Sequence, residues 1–131
     1  MHFGIGNLWL VKPRIMNTEI NKIREAVRKF ADERDWDQFH SPKNLAAALV
    51  VEAAELLEHF QWLKEEESKN LSADKLAKVK AEMADVFIYL VRLADKLDID
   101  LIDAAEEKIE SNAKKYSVAK SKGNAKKYNE L

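Results

Sequence analysis

The segment Leu45-Ala-Ala-Ala-Leu-Val-Val-Glu52-Ala-Ala-Glu55-Leu-Leu-Glu58-His59-Phe60 decides the fold, together with Val79-Lys-Ala-Glu82-Met-Ala-Asp85-Val-Phe-Ile-Tyr89-Leu90 beyond a charged break. Neither half holds Gly or Pro, and both are rich in Ala and Leu, so both are expected as helices. At 3.6 residues per turn Glu52 and Glu55 point the same way, as do Glu82 and Asp85. A carboxylate among apolar side chains cannot stay charged cheaply; it shifts its pKa, pairs with a cation or binds a metal. Two such pairs on consecutive helices suggest that Glu52, Glu55, Glu82 and Asp85 converge on Mg²⁺, or Mn²⁺ in its place, an ion that brings phosphate groups with it. Acid pairs three apart also occur on ordinary solvated helix faces, and the pattern alone leaves that reading open.

The chain around this segment has 131 residues, enough for one domain that buries about two thirds of its unfolded surface. A hydrophobic fraction of 47% with 34% charged residues describes a soluble globular protein, and only three Gly and two Pro argue against a sheet-and-turn architecture. The absence of Cys excludes disulfides, thiol catalysis and zinc–thiolate sites, and suits a reducing, cytoplasmic compartment. The net charge of −1 hides an asymmetry: residues 112–131 hold six Lys against Glu130, so the body is acidic and the tail basic. Such a tail can meet a polyanion bridged to the body by metal, or can simply be solvated.

Residues 1–16 differ in character from the rest of the chain. They hold two of the three Gly and no helical stripe, and the apolar run Phe3 to Val11 is too short to span a bilayer. They are expected as an extension without an assigned role, ahead of a single domain over 17–131. Asn17 or Thr18 can cap a first helix to about Arg34, striped by Ile20, Ile23, Val27 and Phe30. The polar loop Asp35 to His40 carries Trp36 and Phe39, which either lid the core or stack on a planar ligand. Ser41-Pro42 starts a second helix, expected to run to Leu63 and apolar over more than half its circumference. A charged connector, Lys64 to Asp74, leads to a third helix ending near Leu97; Asp100 caps a fourth that reaches about Tyr116. Helices apolar on several sides in so short a chain imply burial against another subunit.

Other chemistries fit less well. Ferritin-like di-iron sites need a Glu-x-x-His pair on each of two helices, and His59, four after Glu55, has the wrong spacing. No nucleophile elbow and no phosphate-cradling Gly-rich loop is present. Four carboxylates without a nucleophile leave metal-assisted attack of water on a phosphate, or else a non-catalytic helical scaffold or nucleotide-binding module.

The pattern Glu52-x-x-Glu55 followed by Glu82-x-x-Asp85 resembles that of the all-α, MazG-like nucleoside triphosphate pyrophosphohydrolases. The stretches Glu33-Arg-Asp-Trp-Asp-Gln-Phe-His40, Phe60-Gln-Trp62, Asp85-Val-Phe-Ile-Tyr-Leu-Val91 and Ser121-Lys-Gly-Asn-Ala-Lys-Lys-Tyr-Asn-Glu-Leu131 are similar to the dCTP pyrophosphatase branch. The resemblance implies a four-helix MazG-like bundle assembled as a homotetramer, a dimer of dimers. It implies Mg²⁺-dependent hydrolysis of a nucleoside triphosphate, dCTP or a modified pyrimidine analogue, to monophosphate and pyrophosphate, with no nucleic-acid or membrane partner. Glu52, Glu55, Glu82 and Asp85 take the metal positions, with Glu52 or Glu55 activating water. Trp36, Trp62 and Tyr89 take the base pocket, and Lys43, Asn112, Lys115, Lys122 and Lys127 the phosphates. Two positions depart from the branch: Val27 stands where it has a pocket His, and Ser117 where a Pro follows Lys-Tyr.

Overall fold

A computed structural model describes residues 18–131; the extension expected over 1–16 and the cap expected at Asn17 lie outside the described residues. The order is α1 (Thr18–Glu33), a short 3-10 turn (Asp37–Phe39), α2 (Pro42–Glu58), α3 (Glu65–Ser68), α4 (Ala73–Lys96), α5 (Leu101–Lys115), α6 (Val118–Ser121) and a closing 3-10 turn (Tyr128–Glu130). No strand occurs among the described residues, and none of their helices is long and apolar enough to cross a membrane. Two compact units emerge, Thr18–Ile99 and Asp100–Leu131.

In the first unit α2 packs along α4, and α1 packs against α4 as well. The α2–α4 pair is antiparallel: Arg92 reaches His40 ahead of α2, and His59 past its end meets Glu82. The starts of these helices follow the sequence. Ser41 Oγ accepts from the Asn44 amide at 3.2 Å with Pro42 in the first turn, and Ser72 Oγ accepts from the Lys75 amide at 3.2 Å.

The ends do not all follow it. α2 stops at Glu58, not Leu63, because the chain tightens: the Phe60 amide donates to Leu57 O at 2.9 Å and the Leu63 amide to Phe60 O at 2.9 Å. Trp62, expected inside the second helix, therefore lies in a turn beyond its end. The charged connector is not wholly irregular either, since α3 forms within it, the Lys64 amide donating to Glu67 Oε1 at 3.2 Å. Helices α1 and α4 both end in a Schellman turn. Trp36 N–H donates to Ala31 O and Ile99 N–H to Ala94 O, with Asp35 (φ 54°) and Asp98 (φ 53°) in the left-handed conformation usually given to Gly.

The core is small. Ala31, Leu45, Val79, Val91 and Ala94 are its buried apolar side chains, whereas Ile23 and Phe30 of the expected α1 stripe remain more than a third exposed. Large apolar side chains stand outside it: Val50 and Leu57 on α2, and Leu76, Met83 and Phe87 on α4.

In the second unit Asp100 caps α5, its Oδ1 accepting from the Asp103 amide at 3.0 Å. The closing turn folds back so that Tyr128 meets Tyr116 edge-on, ring centroids 6.3 Å apart.

Candidate active site

Antiparallel packing of α2 on α4 places the two acid pairs face to face. Glu52, Glu82 and Asp85 each contribute a carboxylate oxygen, and these oxygens lie within 4.8 Å of one another. Opposed oxygens around one hard cation stand about 4–5 Å apart, so the triangle has the right size and an all-oxygen donor set. Oε2 of Glu52 and Oε2 of Glu82 are buried and without a hydrogen-bond partner, which a bound cation would remedy. Glu55 lies beside Glu52 rather than in the triangle. Burial first, then the hydrogen-bonding contact with Glu55, then the charges of Glu55, Asp85 and Glu82 push the Glu52 carboxyl up to about 7. These residues could hold a divalent cation, whose charge would displace that proton. His59 Nε2 stands 3.7 Å from Glu82 Oε1, bringing an imidazole to the edge of the cluster from beyond the end of α2. Sequence spacing on one helix could not show this contact.

Tyr89 sits one turn beyond Asp85 on α4 and is half-buried. Trp36 is 44% exposed, its ring edge-on to Phe30 (5.6 Å between centroids) and to His40 (6.3 Å). Trp62 is 87% exposed, so among the described residues of this single chain nothing encloses it. Lys43 is exposed in the first turn of α2, nine residues and roughly 14 Å along the axis from Glu52. In the second unit, taken by itself, Asn112 and Lys115 are exposed on α5, and Lys122 and Lys127 follow α6. Lys115 Nζ lies over the Tyr128 ring at 5.1 Å, and the Lys127 amide donates to Glu130 Oε2 at 3.1 Å.

A polar cluster that no sequence motif marks joins the Trp36 turn to α4. Arg92, buried at 4% exposure, donates from Nε to His40 Nδ1 at 3.2 Å and from a terminal nitrogen to Asp37 Oδ1 at 2.8 Å. Its other terminal nitrogen lies 3.6 Å from Asp95, which Arg28 of α1 also holds through two bonds, one of 2.6 Å. Lys96 adds a second cation to Asp37. The hydrogen bond from Lys96 and the charges of Lys96 and Arg92 lower the Asp37 pKa; the hydrogen bond from Arg28 lowers that of Asp95. Burial, with Arg92 and Lys96, lowers that of His40. The one sequence signal was Arg92 as a lone cation in the apolar run Val86 to Ala94.

The chain is similar to known proteins in both sequence and fold. Residues 47–131 match the model of the MazG-like family. The chain is 43% identical over 114 residues to dCTP pyrophosphatase 1 of Bos taurus, covering 86% of this chain and 68% of that protein. It is 40% identical over 114 residues to dCTP pyrophosphatase 1 of Homo sapiens, covering 86% and 67%. The crystal structure of a pyrophosphatase from Archaeoglobus fulgidus superposes with a TM-score of 0.71 at 40% identity, over 74% of this chain and 91% of that one. On these matches, the chain belongs to the MazG-like family.

Proposed function

We propose that this chain, a nucleoside triphosphate pyrophosphohydrolase, cleaves dCTP or a modified pyrimidine analogue to the monophosphate and pyrophosphate and so cleans the nucleotide pool. The observation that carries the reading is the convergence of Glu52, Glu82 and Asp85 with two unpartnered buried oxygens, in a chain whose relatives are dCTP pyrophosphatases. Mg²⁺ held by these carboxylates would neutralise the triphosphate and draw charge from the α-phosphate as pyrophosphate leaves. Glu52 or Glu55 takes a proton from the attacking water, the role open to whichever carboxylate the metal does not fully engage. Trp36, Trp62 and Tyr89 bind the base, and Lys43, Asn112, Lys115, Lys122 and Lys127 the phosphates. Because the exposed apolar stripes of α2 and α4 need cover, the working form is a homotetramer built from dimers. Val27 offers the base no hydrogen bond, so pyrimidine preference is looser than in the branch.

The products decide the reaction class. Incubation with Mg²⁺ and a panel of ordinary and modified triphosphates should yield monophosphate and pyrophosphate; orthophosphate and a diphosphate would place cleavage at the wrong bond. Glu82→Gln should abolish both turnover and the Mg²⁺-induced rise in melting temperature while the chain stays folded. An unchanged Mg²⁺ response in that variant would remove Glu82 from the metal site.

A further inference from the structure

We propose that Arg92 is a positioning residue that clamps the Trp36 turn at a fixed height above the Glu52–Glu82–Asp85 carboxylates; this rests on the reading of Trp36 as part of the base pocket. Besides Asp95, Arg92 holds two groups that bear directly on Trp36. Asp37 is its chain neighbour, and the His40 ring lies edge-on to the indole. Acceptance of the Arg92 Nε–H by His40 Nδ1 puts the imidazole proton on Nε2 and fixes the ring plane. Phe30 of α1 also meets the indole in a T-shaped contact, and Trp36 keeps 44% of its surface exposed.

The clamp and a carboxylate of the cluster sit on one rigid element. Along α4, Asp85, Tyr89, Arg92 and Lys96 succeed one another at spacings of four, three and four, a single helical face. Seven residues separate Asp85 from Arg92, a rise of about 10 Å that the helix does not let vary. The Trp36 turn is therefore referenced to the helix that carries Glu82 and Asp85. A buried ion pair is weak evidence of added stability, since apolar residues of the same volume usually serve as well. What the planar fork of Arg gives over them is geometry, two acceptors fixed at set directions.

The test is a mutant cycle on the full chain with Mg²⁺ and dCTP, using Trp36→Ala, Asp37→Ala, Asp37→Asn, Arg92→Lys and the double variant Trp36→Ala/Asp37→Ala. Asp37 is more than half exposed, so its variants do not depend on the tolerance of a buried site. Asp37→Ala and Arg92→Lys should each raise KM about fivefold or more, the low end of what a lost base stack costs. Their kcat and their inhibition by inorganic pyrophosphate should stay as in the parent. The double variant should be no worse than Trp36→Ala alone, because a misplaced ring and an absent ring lose the same contact. An unchanged KM in both Asp37 variants, a multiplicative loss in the double variant, or an equal loss for pyrophosphate would each overturn the clamp. If Trp36→Ala weakens dCTP and the Asp37 variants do not, only the clamp fails. If Trp36→Ala itself leaves KM unchanged, the base-pocket reading falls and the clamp with it.

Discussion

His40 is the residue that joins Arg92 to the Trp36 ring. It faces Arg92 and Lys96 from α4 and Asp37 from its own turn, and its pKa lies below the ordinary 6.5, chiefly through burial. The contribution of the neutral ring is present above pH 6.5 and is lost as pH falls from there toward the folded value. Glu52 acts in the opposite sense: with a folded value of about 7 against 4.5, its contribution is present below 4.5 and lost as pH rises through 7. Comparing variants separates the two. The urea midpoint of the parent should fall relative to that of His40→Gln between pH 7 and pH 5, because Gln keeps an acceptor without a titration. Parallel midpoints across that range would show that His40 is not coupled to stability. Asp95 acts only at lower pH: held down mainly by Arg28, its contribution stays until pH falls through a folded value below 3.8.

Among the elements, α4 carries the most: the core residues Val79, Val91 and Ala94, two acids of the cluster, Tyr89 and the clamp. Its start depends on Ser72, whose hydroxyl satisfies an amide that the helix itself leaves open. Ser72→Ala should lower stability by about 1 kcal/mol in urea denaturation, with kcat and KM unchanged. A larger loss, or a change in KM, would mean that the connector before α4 does more than start it. The other end was legible as well: the helix was expected to end near Leu97 and its last residue is Lys96, with Asp98 in the left-handed position of the Schellman turn. The four long helices, the Ser41 and Asp100 caps and the acid spacing were legible in the sequence because each depends on residues within one or two turns. The end of α2 at Glu58 was not, since no Gly or Pro stands there to announce it.

For the whole molecule the decisive quantity is apolar surface. Val50 (68% exposed) and Leu57 (59%) lie seven apart on α2, and Leu76 (56%) and Met83 (57%) seven apart on α4, so each helix turns large apolar side chains outward on one face. So few large side chains are buried among the described residues that a second copy covering these faces is the expected outcome. Val50→Glu and Met83→Lys should lower the molar mass measured by light scattering from tetramer toward dimer or monomer. A parent chain that is monomeric at micromolar concentration would overturn the assembly outright.

By itself the sequence determined that this protein is helical, where its four long helices start, and that Glu52, Glu55, Glu82 and Asp85 point in pairs from two of them. Those are properties of a 3.6-residue period, of capping chemistry and of short-range spacing, all written locally. Only the tertiary structure decided that Glu52, Glu82 and Asp85 form the triangle while Glu55 stands beside Glu52, that His59 borders Glu82, and that Arg92 ties the Trp36 turn to α4. The antiparallel register of α2 on α4 fixes all three, and that register comes from packing and from the turn after Glu58. No residue's own neighbours encode which side chain will face it from another helix.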